Sequence, residues 1–424
     1  MKKVLVLPLI VLLLPVSVIE KRTSYITIAP AASEPEAAAP SQSLSEFKSA
    51  IETRGQSLAD QGVLIETLDQ PRSVAEHNAD VTFNPASVMK LATSFVALAK
   101  LGPDYRYRTN FRAGGSIDWN THTLAGDLIV QGGSNPVFSS LDADEVALQL
   151  SRLGIAHVAG GLRIAGPFYY FARGYHSNLS PETSAAKLRT ALQRSGIKFE
   201  GATAFGASEG PLLLSHYSDP LESILLFQNA HSSNAIAEVV GASIGGPRAI
   251  QDYLVEKVGL GETDLFVGRA SGLDFNRITP RATLRVLRAL IQLLADHSLR
   301  PEDVMPVAGI DSGTLHGRLA GEDVRGGVVA KTGTLVSLDN GVSTLVGIAY
   351  TKSKGPLLFA VFDSGGNVNA YRHLQDQFIE QMIAESGGAV AVSRSEDALA
   401  EVVRHSIVQV LWKPADQSAE TATE

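Results

Sequence analysis

The apolar positions of this chain change period several times, and each change marks an element. From Val4 to Ile19 the residues are apolar almost throughout, interrupted by Pro8 and Pro15 and preceded by Lys2 and Lys3. A charged start followed by a short apolar run is the pattern of a secretory segment or anchor, expected over 1–28, with Ala29-Pro30-Ala31 as a small-x-small site. Residues 29–43 are rich in Ala, Pro, Ser and Glu and cannot bury enough apolar surface to fold, so they read as a linker. Val63, Ile65 and Leu68 alternate with polar neighbours before Asp69-Gln70-Pro71-Arg72, predicting a hairpin over 61–76. Residues 87–99 are apolar on nearly every face, a helix for the middle of a domain in which Lys90 is the only charge. By contrast, 183–194 carries Lys187, Arg189 and Arg194 beside Leu188 and Leu192, an amphipathic surface helix.

The texture between 112 and 206 differs, with short strands at 124–130 and 162–164 broken by Gly132-Gly133 and Gly160-Gly161, and predicts an inserted accessory domain. The flanking segments, 44–111 and 207–385, form the two parts of one main domain. In the second part a helix is expected from 221 through Ser232 to 244, and others over 247–258 and 280–297. Strands at 327–331, 341–350 and 356–362, separated by Leu338-Asp339-Asn340 and Ser353-Lys354-Gly355, read as an antiparallel meander closed by a helix over 369–385. Beyond 386 a short helix over 396–408 precedes a polar tail that ends at 424. The class is therefore α+β.

Composition narrows the chemistry. With 424 residues, 45% hydrophobic and 19% charged, the chain can bury a sizeable core in more than one domain. A net charge of -8 without a long basic run argues against a nucleic-acid partner. The absence of cysteine excludes thiol catalysis, disulfides and thiolate metal sites, and no metal or cofactor is expected.

Three short strings remain to carry a reaction: Ser87-Val88-Met89-Lys90, Ser232-Ser233-Asn234 and Lys331-Thr332-Gly333-Thr334. A serine three residues before a lysine also occurs at Ser45/Lys48, Ser184/Lys187 and Ser195/Lys198, so the spacing alone selects nothing. Context selects Ser87, which stands at a helix start expected to be buried; the Ser184/Lys187 pair is expected to be solvated. One helical turn puts Lys90 on the face of Ser87, and burial lowers a lysine pKa, so a neutral Lys90 could take the serine proton, with Lys331 as a second cation lowering it further. A helix-start N–H at Ser87 would also face a developing oxyanion, worth about 3 kcal/mol. A strand edge bearing Lys331 and the small Gly333 offers a dock for an extended peptide ending in a carboxylate.

This signature is shared by penicillin-binding proteins and class A β-lactamases. The surrounding residues resemble the penicillin-binding protein 4 type of D-alanyl-D-alanine carboxypeptidase/endopeptidase, the low-molecular-mass class C penicillin-binding proteins. The resemblance spans about residues 50–385. It rests on 83–91 around Ser87, Gly126-Asp127-Leu128 with Gly132-Gly133, Ser271-Gly272-Leu273 with Asn276-Arg277, Met305-Pro306-Val307-Ala308-Gly309 with Gly313-Thr314-Leu315, and 330–335. It implies a serine β-lactamase/transpeptidase-like fold: an antiparallel sheet covered by helices, a helical subdomain and a smaller inserted domain. It implies Ser87 as acylated nucleophile, Lys90 as its base, Ser232 as proton relay to the leaving amine, and Asn234 as holder of the substrate amide and of Lys90. Lys331 and Thr332 would meet the terminal carboxylate, and the Thr334 N–H would join that of Ser87 at the oxyanion. Arg269-Ala270 stands where the family usually has Asp-Gly, and Ser134-Asn135-Pro136 where it usually has Gly-Asp-Pro.

The resemblance thus implies an exported, periplasmic or envelope serine-type D-Ala-D-Ala carboxypeptidase. Peptidoglycan stem peptides would be its substrates and β-lactams its covalent inhibitors, with membrane contact only through an uncleaved N-terminal segment. A β-lactamase is the enzymatic rival, weakened by the lack of a Glu-x-x-x-Asn between Ser232 and Lys331. An inactive wall-binding scaffold is the non-enzymatic one.

Overall fold

The computed structural model describes residues 41–171, 179–394 and 405–412. The expected export segment and most of the linker lie outside them. Helix α1 (Gln42–Thr53) opens the described chain, capped by Ser41, whose hydroxyl accepts the Leu44 N–H at 3.2 Å, and it buries Leu44, Phe47 and Ile51. The hairpin follows as antiparallel strands Gln61–Thr67 and Ser73–His77. Helix α2 (Met89–Leu101) is buried from Met89 to Leu98, as an apolar helix with a single internal charge must be. It begins two residues later than the sequence pattern suggests. Ala86 takes a left-handed φ of 47° and donates its N–H to Asn84 Oδ1 at 3.0 Å, so residues Ala86–Val88 turn as a tighter 3₁₀ helix that holds Ser87.

Next comes a six-stranded sheet, in spatial order 204–205, 162–165, 128–131, 108–113, 212–217 and 407–410. Its parallel pairs are linked through α3 (Ser140–Arg152) and α4 (Pro181–Arg194), which bury Val146, Leu150, Leu188 and Leu192 in a cluster of their own. Five of its strands lie between Arg108 and Tyr217, past both ends of the segment whose texture differs, because 212–217 returns to pair with 108–113. The expected strand at 124–130 is two strands in two sheets. Gly126 breaks it where a Cβ would lie 2.3 Å from the Gly114 carbonyl oxygen, so that Thr123–Leu124 and Leu128–Gln131 part. The helix expected at 396–408 is corrected at its end. Ile407–Val410 is a strand paired with 212–217, and Val408 packs on the cluster beneath, which an isolated helix pattern could not reveal; residues 395–404 lie outside the description.

The helical region contains α5 (Leu221–His231), α6 (Asn234–Ser243), α7 (Gly246–Tyr253) and α8 (Pro280–Asp296). The single helix expected through Ser232 is two, because Ser232 takes a left-handed φ of 54° as the C-cap of α5 and the Ser233 hydroxyl caps α6 by accepting the Ile236 N–H. Strands Val328–Leu335, Val342–Thr351 and Gly355–Ser364 then form the expected meander, and α9 (Val368–Glu385) closes it. Together with the hairpin they make a five-stranded antiparallel sheet in which 328–335 is one edge. Alternate residues of its strands enter opposite cores, Val329 and Val346 toward α2 and α8, Val328 and Ala330 toward α1 and α9. Lys331 thereby falls on the α2 side and Thr332 and Thr334 on the α9 side.

Candidate active site

Three elements converge at the open edge of strand 328–335. Lys90, fully buried one turn past Ser87, donates from Nζ to Ser87 Oγ at 2.8 Å, Asn234 Oδ1 at 2.7 Å and the Ser271 carbonyl at 2.6 Å. Burial pulls its pKa down to about 7, against the nearby Glu238 carboxylate, which pulls it up. A neutral amine has two hydrogens and one lone pair. Spending the hydrogens on Asn234 and Ser271 aims the lone pair at the Ser87 hydroxyl.

The left-handed turn at Ser232 does a second job. It directs the Ser232 hydroxyl to Lys331, whose Nζ donates to Ser232 Oγ at 3.0 Å and to the Thr332 carbonyl at 2.6 Å. Lys331 is fully buried, and desolvation with the Lys90 charge nearby takes its pKa well below the ordinary lysine range. Four residues after Asn234 on α6, Glu238 Oε1 accepts both the Ser271 N–H (3.1 Å) and the Ser271 hydroxyl (2.5 Å). That anchors the loop whose carbonyl holds Lys90. Gly272, at φ 81°, keeps this loop against the turn that holds Ser87, where a Cβ would lie 1.8 Å from the Ala86 carbonyl oxygen.

The edge strand is held to the same turn. Thr344 Oγ1 donates to the Pro85 carbonyl at 2.9 Å, and a Cβ on Gly333 would meet that hydroxyl at 2.1 Å and the Pro85 oxygen at 2.6 Å. Ala330 donates its N–H outward to Pro306 O at 3.1 Å, away from strand 342–351, so by strand alternation the N–H groups of Thr332 and Thr334 face the open edge too. Ser87 lies ahead of the first bond of its turn, Val88 N–H to Pro85 O, so its N–H is a helix-start donor. Thr332 Oγ1 donates to Thr314 Oγ1 at 2.9 Å. All eight residues singled out in the sequence, Ser87, Lys90, Ser232, Asn234, Lys331, Thr332, Gly333 and Thr334, thus lie where these three elements converge.

The chain matches the D-Ala-D-Ala carboxypeptidase 3 (S13) family over residues 46–169 and 177–384. It belongs to that family. The D-alanyl-D-alanine carboxypeptidase DacB of Haemophilus influenzae is 27% identical over 199 residues, which is 43% of this chain and 40% of that protein, so the aligned stretch spans less than half of the curated relative. Penicillin binding protein 4 of the same organism superposes at a TM-score of 0.65 with 20% identity, covering 80% of this chain and 98% of the other. A predatory endopeptidase of Bdellovibrio bacteriovorus, solved acylated by penicillin G, superposes at 0.65 with 22% identity, over 79% of this chain and 94% of that one. The S13 chain described here is accordingly α+β with the fold of these proteins.

The other serine/lysine spacings in this S13 chain make different bonds. Ser45 Oγ donates to Ser41 O, Ser195 Oγ to Asp144 Oδ1, and Ser184 Oγ accepts the Tyr170 N–H. Ser184 is fully buried, contrary to the solvated position expected of it, because its side of α4 packs on the second sheet's cluster. Among the described residues, no group of three or more His, Asp or Glu is placed to hold a metal ion. Sequence reasoning about the three strings missed Glu238, Thr344 and Arg372. Glu238 had a findable signal, its four-residue spacing from Asn234 on one helix face. The others are joined to the site only by sheet pairing and helix docking.

Proposed function

We propose that this chain is a serine-type D-Ala-D-Ala carboxypeptidase that also cuts cross-links, acting on peptidoglycan stem peptides outside the cytoplasm. The observation that carries this reading is a buried Lys90 amine, with its pKa near 7, held 2.8 Å from the Ser87 hydroxyl. Lys90 takes the Ser87 proton as Oγ attacks the carbonyl of the penultimate D-Ala. The oxyanion forms between the N–H groups of Ser87 and Thr334, in reach of donors that need no reorganisation. Collapse expels the terminal amine, which receives through Ser232 the proton that Lys90 took from Ser87, and leaves an ester on Ser87 with Lys90 neutral again. Water then hydrolyses that ester and restores the serine. Asn234, its Oδ1 engaged by Lys90, has amide hydrogens with no acceptor among the described residues, and these meet the substrate carbonyl.

The relatives named above are a carboxypeptidase and an endopeptidase, which supports assigning both outcomes to one acyl-serine site. We take the region of the second sheet as an accessory domain between the two parts of the main one. The test is intact-mass measurement after incubation with penicillin G. A one-penicillin adduct is expected on the native protein and none on Ser87→Ala; an adduct that survives in Ser87→Ala removes Ser87 from the mechanism. Release of D-alanine from a stem pentapeptide distinguishes the peptidase from an inactive scaffold, and rapid turnover of penicillin would replace the reading with a β-lactamase.

A further inference from the structure

The cation expected to meet the substrate carboxylate, Lys331, is poorly suited to do so alone. It has no exposed surface, already donates to Ser232 and Thr332, and is driven toward its neutral form by burial beside Lys90. A carboxylate leaving water needs a charge that persists.

Such a charge stands on the α9 side of the same strand. Arg372, in the first turns of α9 and half-buried, donates from Nη2 to Thr334 Oγ1 at 2.8 Å and from Nη1 to Asn369 Oδ1 at 3.3 Å. Among the described residues no carboxylate lies in ion-pair distance of it. The nearest acid on α9, Asp376, is occupied by Arg318 at 2.8 Å, and Arg318 also donates to the Arg372 carbonyl and so fixes the turn that carries it. A guanidinium has five N–H donors in a rigid fork, and Arg372 spends two of them on neutral oxygens. What remains is an unpaired, permanently charged donor beside the hydroxyl of the residue whose N–H faces the open edge.

We propose that Arg372 reads the carboxylate on the carbon that bears the leaving amine, holding it against Thr334 and so restricting cleavage to substrates with a free carboxylate at that position. The assignment rests on the acyl-serine reading of Ser87. Arg372 is a specificity residue; its bond to Thr334 is to the side-chain hydroxyl, not to the N–H that faces the oxyanion, and no bond joins it to Ser87 or Lys90. A penicillin carries a carboxylate that can stand in for that of the peptide.

Penicillin G and its methyl ester differ only in that charge, and the rate of Ser87 adduct formation by mass spectrometry reports each. The native protein should acylate faster with the acid than with the ester, by roughly tenfold or more, the usual scale for a charge-assisted contact. In Arg372→Gln the acid should slow to near the ester rate while the ester rate stays within about twofold of native, and Arg372→Lys should keep part of the preference. The acid-to-ester ratio within one variant is insensitive to how much of it folds. An unchanged ratio in Arg372→Gln, or an equal fall for both compounds, overturns the assignment. Absence of any adduct on the native protein would instead sink the acyl-serine reading, and Arg372's role with it.

Discussion

A single lysine decides whether this site can work at neutral pH. Lys90 gains nothing from burial as a cation, and it is tolerated because three acceptors surround its amine. With a pKa near 7, acylation of Ser87 by penicillin should rise with pH through about 7 and level off above it, because only the deprotonated amine accepts the serine proton. A stopped-flow or quenched mass profile that is flat from pH 5.5 to 9 would remove Lys90 as the base. The local departure Arg269-Ala270 is absorbed without touching this group. Arg269 lies 3.4 Å from Glu238, and Ala270 sits over Gly241, where a Cβ would meet it at 2.3 Å. Which of four serines had a base was legible in the sequence, since only Ser87 opens an apolar helix. That Glu238 steadies the Ser271 carbonyl was not, because the contact joins α6 to a loop more than thirty residues later.

At the scale of elements the cleft is made by three joints: the 3₁₀ turn before α2, the left-handed break between α5 and α6, and the edge of strand 328–335. At the strand edge the close fit is at Gly333, where a Cβ would lie 2.1 Å from the Thr344 hydroxyl. Gly333→Ala must move either the Thr344 hydroxyl or the Pro85 backbone, and since Pro85 leads directly into Ser87, acylation should fall at least about tenfold while the far-ultraviolet spectrum stays native. Unchanged acylation in that variant would mean that the strand and the turn are not rigidly joined. The meander and α2 were predictable because a two-residue or all-round apolar period is a local property. The break at Ser232 was not. Residues 221–244 keep an apolar pattern across it, and a left-handed serine is favoured only once its hydroxyl has Lys331 to meet.

Across the whole molecule, the sheet carries another buried titratable group on the face opposite Lys331. Asp363, in strand 355–364, accepts from Gln375 Nε2 at 2.7 Å, and burial pushes its carboxyl up to about 7. Unfolded, it would lose its proton near pH 4; folded, it keeps it to about 7, so stability should decline as pH rises between those values and the loss is complete above them. Asp363→Asn should remove that decline and unfold later than the native chain at pH 8, by up to about 4 kcal/mol, whereas the two should converge near pH 4. Parallel denaturation curves at pH 4 and 8 would count against a protonated Asp363. The sequence by itself determined the class of elements, the order of the three strings and the serine that stands beside a buried lysine, because periodicity, turn residues and burial of a helix are written locally. Only the tertiary structure decided that 212–217 and 407–410 share a sheet, that Ser232 breaks a helix to face Lys331, and that Arg372 stands half-buried beside Thr334. Each of these depends on segments far apart in the chain, and their hydrogen bonds exist only after the sheet has fixed which edges and faces meet.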